Sequence, residues 1–343
     1  MSVCDVSVVI PTYNRTSLLR RALNSVAQQT HLPAEVIIVD DCSESAVLED
    51  VKSIILDFSP RINIRLIVNN RNSGANHARN KGIFAATNRY IAFLDSDDLW
   101  FPEKLERQLE EIGKAEAMSN KPVLSATGRY RVDDQGEIIA RQFGGHVLNS
   151  EKIRRSNFIG TLSSVVVEAA VARQVRGFNE ALPASQDWDF FIRLSEHVQY
   201  VGVAEPLCVY VDHSRERITL DYRKKLRGHT SIYKTHVGPV MTATNAIRTE
   251  LLRNIAEDYQ ELGNKYKTAS FYAGALASGI RVSRSVQRLI ACALDAYFRV
   301  FSPPPLRLRR YQRYRRSMDK LLKDETTRAI ITRDRSVIQR LMA

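Results

Sequence analysis

The sequence predicts an α/β protein with a mostly parallel central sheet flanked by helices, followed by a helical extension. Three observations carry this. Short runs rich in β-branched residues alternate with helical patterns from Val6 to Leu94, polar segments follow the strands, and from Asp221 onward the pattern turns helical.

Val6–Ile10, Val36–Val39, Ile62–Val68 and Tyr90–Leu94 read as strands, with Leu18–Ala27, Ala46–Leu56 and Ala75–Ala86 between them as helices. Apolar runs without alternation belong to strands buried on both faces. Helices joining them make βαβ units with right-handed crossovers. The next section, about Val123 to Val211, is less regular: strand-like Val123–Val132, a turn at Asp133-Asp134-Gln135-Gly136, strand-like Ser164–Val167, a helix from about Asp187 to His197 and a short strand at Leu207–Val211. It completes the same domain. Further on, Asn254 to Ser278 has the small and aromatic residues of a packed helical hairpin, without the second copy a repeat array needs. A helix over Arg284 to Phe301 is apolar on one face and ends at Ser302-Pro303-Pro304-Pro305. The expected organisation is a catalytic domain over 1–220, with halves of about 1–120 and 121–220, and a helical, basic region over 221–343.

The 343 residues suffice for a domain plus an appended module, and the formal charge of +12 is unevenly spread, the stretch from Arg299 to Arg316 being almost purely basic. Such a cluster suits an anionic partner. No nucleic-acid recognition module accompanies it, so nucleic acid is set aside; an anionic membrane surface and packing on the catalytic domain or in an oligomer both fit. Cys4, Cys42, Cys208 and Cys292 are far apart with no CxxC spacing, which suits reduced thiols. No basic leader precedes the first strand, so no signal peptide is expected. No segment reaches the roughly 20 apolar residues of a spanning helix. The expected location is the cytoplasm, free or peripheral on the inner face of the cell membrane.

Ligands of open parallel sheets bind beyond the carboxyl ends of the strands. Three polar segments lie there: Pro11-Thr12-Tyr13-Asn14-Arg15, Asp40-Asp41, and Asp95-Ser96-Asp97-Asp98. They should meet on one rim. Neither GxGxxG nor GxxxxGK[ST] follows the first strand, so bare backbone does not cradle a phosphate in either familiar way. Carboxylates alone would repel a diphosphate, but a hard divalent cation between them binds both. Taken alone, the Asp95–Asp98 segment could equally cap a helix beginning near Pro102, and Asp187 could cap its own helix. Trp100 and Trp188 could stack on a sugar, although aromatic residues at helix starts more often pack in a core. His31, His77, His146 and His229 lack ligand spacing and read as structural or exposed.

The segments VSVVIPTYNR, EVIIVDDCS, NNRNSGANHARNKGI, YIAFLDSDDLWFPEKL and GFNEALPASQDWDFFIRL resemble, in order, the successive motifs of the family 2 glycosyltransferases, which have the GT-A fold. The resemblance spans about Val6 to Val211. It implies that Pro11, Thr12, Tyr13 and Arg15 line a nucleotide pocket, that Asp41 reaches the base and that Asp40 supports the loop. Arg79 would approach the nucleotide or its phosphates, and Asp95 and Asp97 would lie by the nucleotide sugar. Asp97 or Asp98 would ligate Mn2+ or Mg2+. Asp187 matches the catalytic base. Gln186, standing where many relatives have Glu, and Trp188 would face the acceptor, and His213, Arg215 or Arg217 would touch the diphosphate.

The implied activity is inverting transfer of a hexose-type residue from a nucleotide-diphosphate sugar, expected to be a UDP-sugar, to a hydroxyl of a glycan or lipid-linked oligosaccharide. That is the chemistry of bacterial surface-polysaccharide assembly. The alternative is a non-catalytic protein that binds a nucleotide sugar or glycan and interacts through its basic tail. A sugar nucleotidyltransferase would need a glycine-rich, basic loop after the first strand, which PTYNR is not.

Overall fold

The computed structural model describes residues 2–142, 144, 150–212, 221–237, 244–279 and 306–342. Strands β1 (Ser2–Thr12), β2 (His31–Asp40), β3 (Ile64–Val68) and β4 (Tyr90–Phe93) lie in the order 3-2-1-4, all parallel. The crossovers are helices α1 (Thr16–Ala27), α2 (Ser45–Phe58) and α3 (Ala75–Ala85). The physical reason is the one legible in the sequence: Val8, Val9, Ile10 and Val36 to Val39 are wholly buried because helices cover both faces. Leu19, Ala22, Leu23 and Val26 form the buried stripe of α1. On α3, Gly82 comes so close to Val9 that a Cβ there would lie 2.3 Å from its side chain. The parallel register sets Thr12 opposite Asp40, so β1 and β2 deliver their polar turns to the same edge.

Beyond β4 the sheet becomes mixed. Strands β5 (Leu99–Trp100), β6 (Val123–Asp133), β7 (Ile138–Gln142), β8 (Val165–Glu168) and β9 (Gln199–Asp212) continue it in the order 8-6-9-5, with β7 beside β6. Only β6 and β9 among these run parallel. A hairpin turn joins β6 to β7, where the first half has crossover helices. The long strand β6 changes partner at Gly128, pairing with β8 before it and β7 after it. A Cβ at Gly128 would lie 2.6 Å from the Gln142 carbonyl, so the strands meet there only because the side chain is absent.

Helices α4 (Lys104–Met118), α5 (Ser150–Arg155), α6 (Ala169–Gln174) and α7 (Gln186–Leu194) complete this part. Several of the helices that follow pack on this part. From α8 (Tyr222–Ile232) and α9 (Asn245–Glu261), Ile232, Ile247 and Leu251 join Phe190, Phe191 and Leu194 of α7 in one core, and α10 (Lys265–Gly279) pairs with α9. Near the end, α11 (Leu306–Leu321) lies on β7, and α12 (Glu325–Met342) buries Ile338 and Leu341 against Tyr130, Val132 and Val209. The Tyr130 hydroxyl donates to Asp334 at 2.6 Å. The apolar core is therefore continuous across residue 220.

The helix expected over Arg284–Phe301, and His213, Arg215 and Arg217, lie outside the described residues. Among the described residues no helix is long and apolar enough to cross a membrane. Cys4, Cys42 and Cys208 are free thiols.

Candidate active site

The turns after β1 and β2 are tied to each other. Asn14, with φ at 50°, donates its amide to the Ser43 hydroxyl at 2.8 Å and accepts the Glu44 amide at 3.0 Å. Asp40 accepts from the Ser43 amide and hydroxyl, so its part is to hold this loop. Asp41 accepts the Ser73 and Gly74 amides and the Asn69 side chain, which fixes the segment entering α3. That segment leads to Arg79 on α3, which donates from Nη2 to Asp95 at 2.6 Å. Arg79 is 94% buried, and among the described residues its Nε and Nη1 have no hydrogen-bond partner.

The Asp95–Asp98 segment caps no helix. It turns from β4 into β5, with the Asp98 amide bonded to the Asp95 carbonyl at 3.0 Å, and α4 begins only at Lys104. Its carboxylates have different fates. Asp95 pairs with Arg79, and Asp97 pairs with Arg15 Nη1 at 2.8 Å; both remain partly exposed. Asp98 is 2% exposed and faces inward, accepting from the Ser163 hydroxyl at 2.6 Å and the Thr161 hydroxyl at 3.3 Å. Burial, with the charges of Asp97 and Asp95 adding to it, raises its pKa well above the usual aspartate value. Asp98, expected with Asp97 as a metal ligand, is thus turned toward Ser163 and Thr161 rather than toward the cavity.

Asp187 is the second residue of α7. Its preceding turn contains Ser185 at φ 58°. One carboxylate oxygen accepts the Trp188 amide and the other the Asn157 side chain, each at 2.8 Å. Burial raises its pKa, with those two hydrogen bonds opposing the shift. Trp188, expected to face the acceptor, is instead a core residue: it is 3% exposed and its indole donates to the Ile153 carbonyl. Asp189 is likewise structural, paired with Arg193 and His236.

A cavity of about 470 Å³ gathers the remaining residues. Pro11, Thr12, Tyr13, Arg15, Asp41, Arg79, Asp95, Asp97, Gln186 and Asp187 all line it. Asp98 and Trp188 are absent from its wall. It also takes in Gly160, Thr161, Tyr210, Lys225 and His229, which sequence reasoning did not place there. No local pattern marks them, since each arrives from a strand, loop or helix whose docking is a tertiary event. A volume of this size, lined by carboxylates, Arg79 and apolar residues such as Ala78 and Leu162, suits a ligand of nucleotide-sugar dimensions.

Residues 7–168 match the family model described as Glycosyl transferase family 2. The chain is 30% identical to the amylovoran biosynthesis glycosyltransferase AmsB of Erwinia amylovora over 61% of its own length and 70% of that protein's. The chain belongs to glycosyl transferase family 2. This family 2 member is also 30% identical to the UDP-Glc:alpha-D-GlcNAc-diphosphoundecaprenol beta-1,3-glucosyltransferase WfgD of Escherichia coli, over 47% of this chain and 59% of WfgD. The matched part is 80% of the length of one curated relative, from Haemophilus influenzae, and 27% of another, from Rickettsia bellii. In three dimensions it is similar to TarS 1-349 of S. aureus in complex with UDP-GlcNAc, with a TM-score of 0.58 and 17% identity over 86% of this chain and 88% of that one. That likeness establishes the GT-A type of fold for the family 2 chain.

Proposed function

We propose that this glycosyltransferase performs inverting transfer of a sugar from a UDP-sugar to a hydroxyl of a glycan carried on a lipid-linked acceptor. The observation supporting the reading is convergence. A single cavity collects the PTYNR turn, Asp41, Arg79, two carboxylates from Asp95–Asp98 and the recessed carboxylate of Asp187. The donor named for WfgD and the ligand named for TarS are uridine diphosphate sugars, which favours uridine here. WfgD's diphosphoundecaprenol-linked acceptor is the basis for a lipid-linked one.

In this mechanism Asp187, ionised, accepts the proton of the acceptor hydroxyl. That oxygen bonds to the anomeric carbon as the bond to the diphosphate oxygen breaks, and the electron pair leaves with UDP. Attack opposite the leaving group inverts the anomeric configuration. A positioned base contributes about 10²–10⁴-fold. Arg79 serves the other end, because it lines the cavity and brings a guanidinium charge to the side from which the diphosphate leaves. Tyr13, 44% exposed at the mouth, offers a ring to the base.

The chemistry of the donor set fits a hard cation shared with the substrate. Among the described residues no three His, Cys, Asp or Glu side chains make a complete site. Asp97 and Asp95 would supply two ligands, and diphosphate oxygens and water the others that Mn2+ or Mg2+ takes. When bound, the cation counters the negative charge developing on the diphosphate.

The deciding experiment offers a panel of nucleotide sugars, with Mn2+ or Mg2+, to the protein with octyl glycosides as acceptors. UDP release and a glycoside of inverted anomeric configuration by NMR are expected. Failure to turn over any sugar nucleotide overturns the proposal.

A further inference from the structure

Lys225 and His229 of α8 reach the cavity from beyond the segment that the family model matches. The helix is fastened to the stretch of chain that carries Asp187. Gly228 packs on the Ala184 carbonyl, where a Cβ would lie 2.5 Å from the oxygen. The His229 ring stands edge-on to Trp188 with centroids 5.9 Å apart. Just beyond α8, His236 Nε2 lies 2.8 Å from Asp189 on α7. His229 thus stands beside Trp188, the residue that follows Asp187, on a helix fastened to the segment that carries Asp187. In an inverting displacement that segment belongs to the acceptor's side, because the base takes its proton from the attacking hydroxyl and the diphosphate leaves from the opposite face.

The imidazole is held in a defined orientation. Its Nδ1 lies 2.6 Å from the carboxylate of Asp258 on α9, a residue only 3% exposed. A buried carboxylate on Nδ1 sets the tautomer and ring orientation and leaves Nε2 as the acceptor of the neutral ring. Among the described residues Nε2 has no hydrogen-bond partner. A ring pinned on one side, lining a cavity with its second nitrogen unused, is built to receive a ligand hydroxyl.

We propose that His229 is an acceptor-binding residue: Nε2 accepts a hydrogen bond from a sugar hydroxyl adjacent to the one that Asp187 deprotonates, and Asp258 positions the ring. The proposal rests on the transferase reading above and extends it. Acceptor recognition then involves the helical region after residue 220 as well as the catalytic sheet.

The test uses the full-length protein, a UDP-sugar, and the octyl glycoside that the wild type glycosylates best. His229→Ala should raise the KM for the glycoside about tenfold, the size expected for one lost hydrogen bond to a neutral group, with a smaller fall in kcat. UDP affinity measured by calorimetry should stay within about twofold of wild type. His229→Gln, which returns a neutral polar group near the Nε2 position, should recover much of the KM, and Asp258→Asn should raise it. An unchanged glycoside KM overturns the proposal, as does weakened UDP binding, which would put His229 on the leaving group. Should His229→Ala fail to fold, Asp258→Asn decides, and a wild-type KM in that variant overturns the proposal. A wild-type protein inert with every donor overturns the transferase reading and this proposal together, an outcome distinct from an active enzyme whose acceptor KM ignores His229.

Discussion

Arg79 spends one nitrogen on Asp95, at 2.6 Å, and among the described residues its two other buried donors meet no acceptor. An unsatisfied buried donor costs about 1–3 kcal/mol, more when charged. Arg79 also lines the cavity, where its guanidinium charge attracts a diphosphate. Arg79→Ala should weaken UDP affinity by about 10- to 100-fold in calorimetry, and Arg79→Lys, a point charge without the planar fork, should recover only part. UDP affinity unchanged in the alanine variant would make the pair purely structural.

For Asp187, burial lifts the carboxyl above its ordinary range, and the Trp188 amide and Asn157 pull it back. Since only the ionised form accepts a proton, the acid limb of kcat/KM should fall at a pH above the ordinary aspartate value of 3.8. Asn157→Ala removes one opposing hydrogen bond, so the limb should move higher still. Asp187→Asn should keep UDP affinity within about threefold while transfer falls by at least about 10²-fold. A variant that transfers at the wild-type rate removes Asp187 from the role of base.

Asp97 and Asp98 separate binding from stability. Asp97 meets Arg15 at a partly exposed pair, and such pairs contribute about 0–1 kcal/mol. Asp97→Ala should leave the melting temperature nearly unchanged and abolish the Mn2+-dependent gain in UDP affinity. Asp98→Ala strips the Ser163 and Thr161 hydroxyls of their buried acceptor and should cost about 1–3 kcal/mol of stability, read as a lowered Tm. The reverse pattern would return metal ligation to Asp98.

Lys104 offers a pH test of the core. It is fully buried over the Trp100 ring, donates to Gln108 at 2.6 Å, and burial pushes its pKa down from 10.5 to about 7. Between those two values the unfolded chain binds a proton that the folded chain does not, so this group makes stability rise with pH across that window. Below it, the folded protein carries the full cost of a buried charge. Lys104→Met should therefore raise Tm more at pH 6 than at pH 9. An equal rise at both pH values would contradict this account.

The basic stretch can be tested without removing α12, whose Ile338 and Leu341 pack on the sheet. Replacing Arg307, Arg309, Arg310 and Arg313 by Gln should release the protein from vesicles containing anionic phospholipid. Each near-surface charge contributes about 1 kcal/mol to such binding. Equal sedimentation of variant and wild type would remove the membrane from the list of partners.

How much of this was legible in the sequence follows from the range of each signal. Strands β1 to β4, their crossover helices and the polar turns are read from neighbouring residues, because an apolar run, a helical stripe and a turn are local patterns. The mixed order beyond β4 is not, since strands joined by hairpins and short helices can pair on several edges. Adjacent residues of a loop can face opposite ways, and no local pattern separates Asp97 from Asp98. What turns Asp98 inward is Ser163, 65 residues away in the chain. Trp188 goes into the core because the Ile153 carbonyl accepts its indole, and His229 reaches the cavity because Gly228 lets α8 rest on Ala184. The sequence by itself determined the GT-A class of fold and which residues could carry chemistry. Only the tertiary structure decided which of them share a cavity, because contacts between distant segments aim each side chain.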